Sequence, residues 1–228
     1  MNIKDRNITI TMDGTCGSGK STIAERLAER LGVIFLDTGA MYRAITWKAL
    51  RSPIELDDTD GLIHLARETE IRLNKGDEGT RVFVDGQEVT RVIRTSEVTN
   101  AIKFLADIPA VREVLVEQQR EIAVARSVVA EGRDTGTVVF PDADYKFYVD
   151  ASLEVRTERR FKEFIDKGMA TPREEVKADL KKRDHADRTR PVGALRLAEG
   201  GIVIDTGETD DVQMNLVKIM AHIKKKTG

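Results

Sequence analysis

Cysteine is nearly absent from the 228-residue chain: Cys16 stands alone, which excludes an internal disulfide and any metal site built on several thiolates. Histidine is scarce too. His64, His185 and His222 are the three present, and no spacing among them suggests metal ligation or a catalytic triad, so all are read as structural or solvent-facing. No apolar run reaches the ~18 residues of a membrane span, and no secretory signal is recognisable, so a cytoplasmic protein without membrane contact is expected. An excess of positive charge is missing as well. Lys and Arg number 37 against 39 Asp and Glu, a formal charge of −2, which argues against a protein devoted to nucleic-acid backbones. The local basic run Lys224–Lys226 therefore reads as the solvated end of a last helix. Internal repeats and low-complexity segments are absent, and nothing calls for an obligate protein partner.

What is present is an ordinary globular balance, 40% hydrophobic and 33% charged. Short runs rich in β-branched residues occur at Ile8–Met12, Val33–Leu36, Val128–Ala130, Lys146–Val149 and Ile202–Ile204, mostly unalternated, as in strands buried on both faces of a parallel sheet. Helical patterns lie between them: Ile23, Leu27 and Leu31 recur at helical spacing, as do Val111 and Leu115, with Gln118 and Gln119 on the wetter side. The alternation predicts an α/β fold with right-handed crossovers, in one domain.

Two regions break it. Between about residues 60 and 105 lies an insert whose segment Glu70–Val89 alternates around Gly76, Gly79 and Asp85-Gly86, the signature of a small antiparallel sheet. Between about residues 156 and 190 the chain is strongly charged and poor in apolar residues, which predicts a mobile helical hairpin. Gly168 ends its first helix, and "TPRE" starts the second with Thr171 as cap, Pro172 at the first helical position and Glu174 closing a capping box.

The stretch "GTCGSGKST", residues 14 to 22, fits the P-loop pattern G-x-x-x-x-G-K-[ST] between a strand and an amphipathic helix. Gly14, Gly17 and Gly19 allow the backbone through Thr15, Cys16 and Ser18 to turn its N–H groups onto phosphate oxygens, beside the positive end of the helix. Lys20 reaches the β- and γ-phosphates, Ser21 suits a Mg²⁺ ion, and Thr22 adds a hydroxyl to the α-phosphate. Cys16 reads as a small residue tolerated by a tight loop, or as an oxidisable thiol near a ligand. The turn holds a nucleoside triphosphate. The only Asn-Lys pair, Asn74-Lys75, continues as Gly76-Asp77 and so matches N-K-x-D in letters, but it lies inside the predicted antiparallel hairpin, which disfavours a switch GTPase.

Open parallel sheets place their sites at the carboxyl ends of the strands. There the chain offers "LDTGAMYRA" with Asp37, Thr38, Tyr42 and Arg43, and "VVAEGRDTG" with Glu131, Arg133 and Asp134. The late segment "RDHADRTR" adds Arg183, Asp187, Arg188 and Arg190. Arginines gathered around a P-loop imply an anionic acceptor, since guanidinium groups fit phosphate oxygens in pairs. Asp37 serves this site or caps the next helix, Arg188 is solvated or contributes, and Arg133 takes a phosphate or a surface salt bridge.

With these blocks in order, and with "IRTSEVTNAI", "IPAVREVLVEQQR" and "EGRDTGTVVFPDA", the sequence resembles the bacterial-type cytidylate kinases, a family of nucleoside monophosphate kinases. The resemblance implies a P-loop kinase core with a five-stranded parallel sheet flanked by helices, a monophosphate-binding insert and a helical lid. It implies transfer of the γ-phosphoryl group of ATP, with Mg²⁺, to CMP and dCMP. Arg43, Arg133 and Arg190 would clamp the acceptor phosphate, and Arg183 and Asp187 would face its ribose. Thr38, Arg112 and Asp134 would line the base pocket, Asp134 accepting from the cytosine 4-amino group. Arg159 and Arg160 would contact the donor as the lid closes, and Glu131 would orient a magnesium-bound water. The resemblance thus assigns catalysis to Lys20, Arg133, Arg190 and Arg159. Two positions depart from the pattern: Lys103 stands where the family has a small hydroxyl residue near the base, and "PVGAL" replaces a proline-leucine step after Arg190. The other readings are a P-loop kinase for UMP, AMP or shikimate, and a non-catalytic ATP-binding sensor.

Overall fold

The computed structural model describes residues 7–76, 79–124 and 126–227, without the side chains of 224–227. Along the chain the elements are β1 (Thr9–Gly14), α1 (Lys20–Leu31), β2 (Ile34–Asp37), α2 (Thr38–Ala49), α3 (Thr59–Glu68), β3 (Ile71–Gly76), β4 (Gly79–Val84), β5 (Gln87–Glu88), α4 (Ser96–Ala106), α5 (Pro109–Ala123), β6 (Val128–Gly132), β7 (Tyr145–Asp150), α6 (Leu153–Asp166), α7 (Arg173–Thr189), β8 (Ile202–Asp205) and α8 (Val212–Thr227). They fall into two compact units, Phe35–Val124 and the rest of the chain.

The expected five-stranded parallel sheet is present in the order β2-β6-β1-β7-β8. Its centre is the most apolar part of the molecule. Ile10, Met12, Val128 and Val129 are fully buried, and every residue of β6 is buried, as strands covered on both faces require. β7 differs from expectation: its burial alternates, with Lys146 and Tyr148 half-exposed, because it lies one strand from the edge. Helix α1 packs on β6 and α8 through Ile23, Ala24 and Leu27. Gly32, with φ 69, ends it in the left-handed conformation and returns its N–H to Ala28 and Glu29.

Helices α6 and α7 form the expected hairpin. Gly168, at φ 71, stops the first helix, and the Met169 N–H closes back on the Phe164 carbonyl. The start of the second corrects the sequence reading. Pro172 itself is the cap residue, with ψ 141, its carbonyl accepting from Glu175 and Val176, and no side chain caps the turn. An extended proline at the cap leaves Thr171 one position too early to reach the first-turn amides.

Within Phe35–Val124, the antiparallel sheet β3-β4-β5 matches the expected insert. Asp85 (φ 50) and Gly86 (φ 82) make its second turn, the sign pattern that a tight hairpin needs. The connection between Gly76 and Gly79 lies outside the described residues. Helix α5 buries Val111, Arg112, Leu115, Val116 and Gln119 on one stripe, against α2, α3 and α4. Gln119 was expected on the wet side but is fully buried, because that packing continues to the helix's last turn; Gln118 is half-buried and donates to the Thr69 carbonyl. The end of α8 carries the Lys224–Lys226 run, whose side chains lie outside the described residues.

Candidate functional site

The glycine turn is built from the carboxyl end of β1. Gly14 must lack a side chain because β7 lies against it: a Cβ there would meet the Val149 carbonyl oxygen at 2.0 Å. Gly17 and Gly19 have φ 79 and 82, the left-handed region that the turn demands. Thr15 anchors the turn by donating its hydroxyl to Asp150 at 2.6 Å, and the Ser18 hydroxyl donates to the Thr15 carbonyl at 2.9 Å. Ser21 and Thr22 are exposed on the first turn of α1.

Lys20 is buried, with its ammonium 3.3 Å from Glu131 Oε1 and 3.3 Å from the Thr15 carbonyl oxygen. Burial and the nearby Arg133 lower its pKa, against the pull of Glu131. Breaking a buried pair of this kind by deleting one partner costs about 3–5 kcal/mol, because the other charge is left dehydrated and alone. Arg133, at the end of β6, donates through Nε to Asp187 Oδ2 of α7 at 2.6 Å. Burial acts to lower the pKa of Arg133, but the negative charges of Asp187, a Cys16 thiolate and Glu131 outweigh it and the guanidinium stays charged. Arg190 donates to the other Asp187 oxygen at 3.2 Å. Arg133, Asp187 and Arg190 are thus brought together, and the Arg133–Asp187 pair is half-buried rather than a surface salt bridge.

Arg183, one turn earlier on α7, points its Nη1 at the Cys16 sulfur, 3.9 Å away. Burial raises the Cys16 pKa, yet Arg133, Lys20, Arg183 and Arg160 together bring it below the ordinary thiol value. The cysteine therefore sits in a cationic setting. Arg188 is exposed and bonds the Tyr148 side chain of β7.

Asp134 is buried and begins a one-turn π-helix, Thr135–Val139. What fixes that turn is a residue missed in the sequence, Asp13 of β1, whose carboxylate accepts from the Thr135 N–H, the Thr135 hydroxyl and the Gly136 N–H, each at 2.8 Å. Burial outweighs those three hydrogen bonds and pushes the Asp13 pKa up to about 6.

The first helix of the hairpin holds a second missed residue. Arg156 is buried and donates to the Ala151 carbonyl, the Cys16 carbonyl and both oxygens of Asp184, the last at 3.2 and 2.8 Å. A signal was present: Asp184 lies inside "RDHADRTR" and Arg156 three residues before Arg159. Arg159 is tied to Asp210 and to the Thr206 hydroxyl, which itself donates to the Ser18 carbonyl of the turn. Arg160 bonds Glu163 at 2.6 Å and lies over the Phe164 ring. A cavity of about 480 Å³ at the amino ends of β7 and β8 contains none of the residues expected in the site.

In the unit Phe35–Val124, Asp37 caps α2 by accepting from the Ala40 N–H at 2.7 Å and also pairs with Arg43 at 3.1 Å. The capping role offered by the sequence is filled, and the same carboxylate also holds Arg43. Arg94, missed although it lies in "IRTSEV", reaches the same carboxylate at 3.7 Å. Thr38 is buried on the first turn of α2. Arg112 is buried over the Tyr42 ring and donates to the Ala106 carbonyl at 3.2 Å. Lys103 stands exposed on α4, its ammonium over the neighbouring Phe104 ring. The unit thus presents Arg43 and Arg94 on one carboxylate and keeps Arg112 on an aromatic face, while Lys103 joins neither group. His64 is exposed beside Glu68, and His222 packs edge-on to Phe147.

A cytidylate kinase family model matches residues 10–225. The chain is 44% identical over 220 residues to the cytidylate kinase of Caldanaerobacter subterraneus subsp. tengcongensis, covering 96% of each protein. It is 42% identical over 222 residues to that of Geobacillus sp. (strain WCH70), covering 97% of this chain and 99% of the relative. Among solved structures, shikimate kinase from Bacteroides thetaiotaomicron aligns with a TM-score of 0.50 at 12% identity, over 95% of this chain and 98% of that one, a likeness of fold alone.

Proposed function

The chain belongs to the cytidylate kinase family, and from that premise we propose how its residues perform the family's reaction. The protein transfers the γ-phosphoryl group of ATP to CMP, and to dCMP, giving ADP and CDP or dCDP. One observation carries the assignment of roles: Lys20, next after the glycine turn, is buried with its Nζ 3.3 Å from the Glu131 carboxylate. A triphosphate in the turn offers that ammonium a stronger partner than one carboxylate does.

The turn amides and the amino end of α1 bind the donor phosphates, with Lys20 on the β- and γ-groups and Thr22 on the α-group. Mg²⁺ fits here, because the Ser21 hydroxyl is exposed on that first turn to hold it and the Glu131 carboxylate close to Lys20 would orient a magnesium-bound water. When bound, the ion neutralises charge on the donor phosphates. Arg159 and Arg160 complete the donor side. The acceptor phosphate is held by Arg133, Arg190 and Arg43, with Arg183 and Asp187 toward the ribose and Thr38, Arg112 and Asp134 toward the base.

No general base is needed, since the acceptor phosphate has a second pKa of about 6 and is already a dianion near neutral pH. Rate enhancement comes from aligning donor and acceptor and from cations placed on the transferring group. Helices α6 and α7 serve as the lid, and excluding water prevents ATP from being hydrolysed in place of transfer. We read the chain as one kinase domain, with the segment of about residues 60–105 serving the monophosphate. A cytoplasmic site of action accords with these substrates; among the described residues no helix is long and apolar enough to cross a membrane.

The test is ADP production from ATP and Mg²⁺ with CMP, dCMP, UMP, AMP, GMP or shikimate supplied separately. CMP and dCMP are expected to stimulate most. Preference for another acceptor overturns the base-pocket roles, and stimulation by none of them overturns the kinase reading in favour of an ATP-binding sensor.

A further inference from the structure

Asp13 and Asp134 are joined by the architecture of the sheet. Strands β1 and β6 pair in parallel with Asp13 opposite Gly132, so the Asp13 side chain lies beside the chain as it leaves β6. The residues that follow, Arg133 and Asp134, lead into the π-helix Thr135–Val139. A single π turn is a rare backbone form, and its leading N–H groups need acceptors.

Asp134 occupies the cap position of that turn but makes no side-chain cap bond to it. The cap comes instead from the neighbouring strand. Both Asp13 oxygens are engaged: Oδ1 by the Thr135 amide and hydroxyl, Oδ2 by the Gly136 amide. The fit is close, because a Cβ at Gly136 would stand 2.8 Å from the Thr11 hydroxyl oxygen and 3.4 Å from Asp13 Oδ2. The Asp134 carbonyl accepts from Val138 at 2.9 Å and from Val139 at 3.2 Å, so both the donors and the acceptor of the turn are fixed. Asp13 is buried, with 3% of its surface exposed, and keeping a carboxylate there has a cost in desolvation that packing alone does not require.

We infer that Asp13 is a positioning residue for base recognition: by capping the turn from the neighbouring strand, it fixes the backbone from which the Asp134 side chain reaches the acceptor's base. The inference rests on the reading of Asp134 as the acceptor for the cytosine 4-amino group.

The experiment compares kcat/KM for CMP with kcat/KM for UMP in the full-length protein and in Asp134→Ala, Asp13→Asn, Thr135→Val and Thr135→Ser. Asp13→Asn offers an amide NH₂ where an oxygen now accepts and gives up at least one of the three bonds. The CMP:UMP ratio is expected to fall about tenfold in Asp13→Asn, with the KM for ATP moving less than about twofold. Thr135→Val keeps the carboxylate and removes one donor, for a fall of about threefold, and Thr135→Ser restores the ratio. An unchanged ratio in Thr135→Val, or in a folded Asp13→Asn, overturns the positioning role when Asp134→Ala lowers the ratio. An unchanged ratio in Asp134→Ala overturns the base-pocket reading and the inference with it, so the two failures are distinguishable. Equal losses toward CMP, UMP and ATP would show a structural role only and also overturn the inference.

Discussion

Lys20 and Glu131 meet with side chains 6% and 7% exposed, whereas Arg173 and Glu158, on the outer side of the α6–α7 hairpin, pair with side chains 36% and 60% exposed. The two pairs have the same chemistry and opposite settings. Two unit charges at 4 Å attract by about 4 kcal/mol at an effective dielectric near 20 and by about 1 kcal/mol in water. Around the glycine turn the charges are dehydrated and share partners: Glu131 acts on both Lys20 and Arg133, and Arg133 shares Asp187 with Arg190. Along the hairpin they are mostly separate and wet. The difference separates charge kept for chemistry, which must be preorganised, from charge that keeps a poorly apolar hairpin soluble and adjustable.

The hardest break of this contrast is Lys20→Ala. It removes the cation placed on the transferring phosphate and takes the ammonium away from Glu131, so kcat is expected to fall about a thousandfold or more. Turnover in a CMP-dependent ADP assay checks it, and near-normal turnover would remove the lysine from the mechanism. Arg133→Ala comes next. Its loss should lower kcat/KM for CMP about a hundredfold while the KM for ATP shifts less than about threefold. Equal damage to both substrates would mean that Arg133 supports the turn rather than the acceptor. Because Asp187 loses a buried partner, urea denaturation is measured alongside to separate stability from acceptor binding.

The buried half of the comparison was only partly legible in the sequence. The glycine turn, Lys20 and the strands were readable because their signals are local: spacing, β-branched runs and a helix that follows at once. Gly168 could likewise be placed as a helix stop from its own residue type. Asp13 could not be, since its partners Thr135 and Gly136 lie 122 and 123 residues away. Arg156 was hidden for a related reason: three residues before a more conspicuous arginine pair, it looks like another solvated charge on a charged helix, and only the fold brings Asp184 and the Cys16 carbonyl to it. Gln119 failed in the opposite direction. Helical spacing placed it correctly on α5, but which part of a helix face is covered depends on the neighbouring helices. The cap at Thr171 failed because capping patterns name residue types, whereas the extended Pro172 decided the first helical residue.

The exposed half is sharpened by a change expected to do little. Arg173, at the start of α7, bonds Glu158 of α6 and the adjacent Glu174. Water solvates all three groups, the side chains must be ordered to make the pairs, and salt screens what attraction remains over ~8–10 Å. Arg173→Ala should therefore leave kcat and both KM values within about twofold of the parent. Any small difference in Tm should disappear as salt is raised to about 1 M, where screening acts over ~3 Å. Salt titration of Tm and kinetics in the two proteins checks this directly. A large, salt-independent loss of CMP-dependent turnover would show that the outer ion pairs set the hairpin's working position, and the division between charge for chemistry and charge for solubility would then not follow exposure.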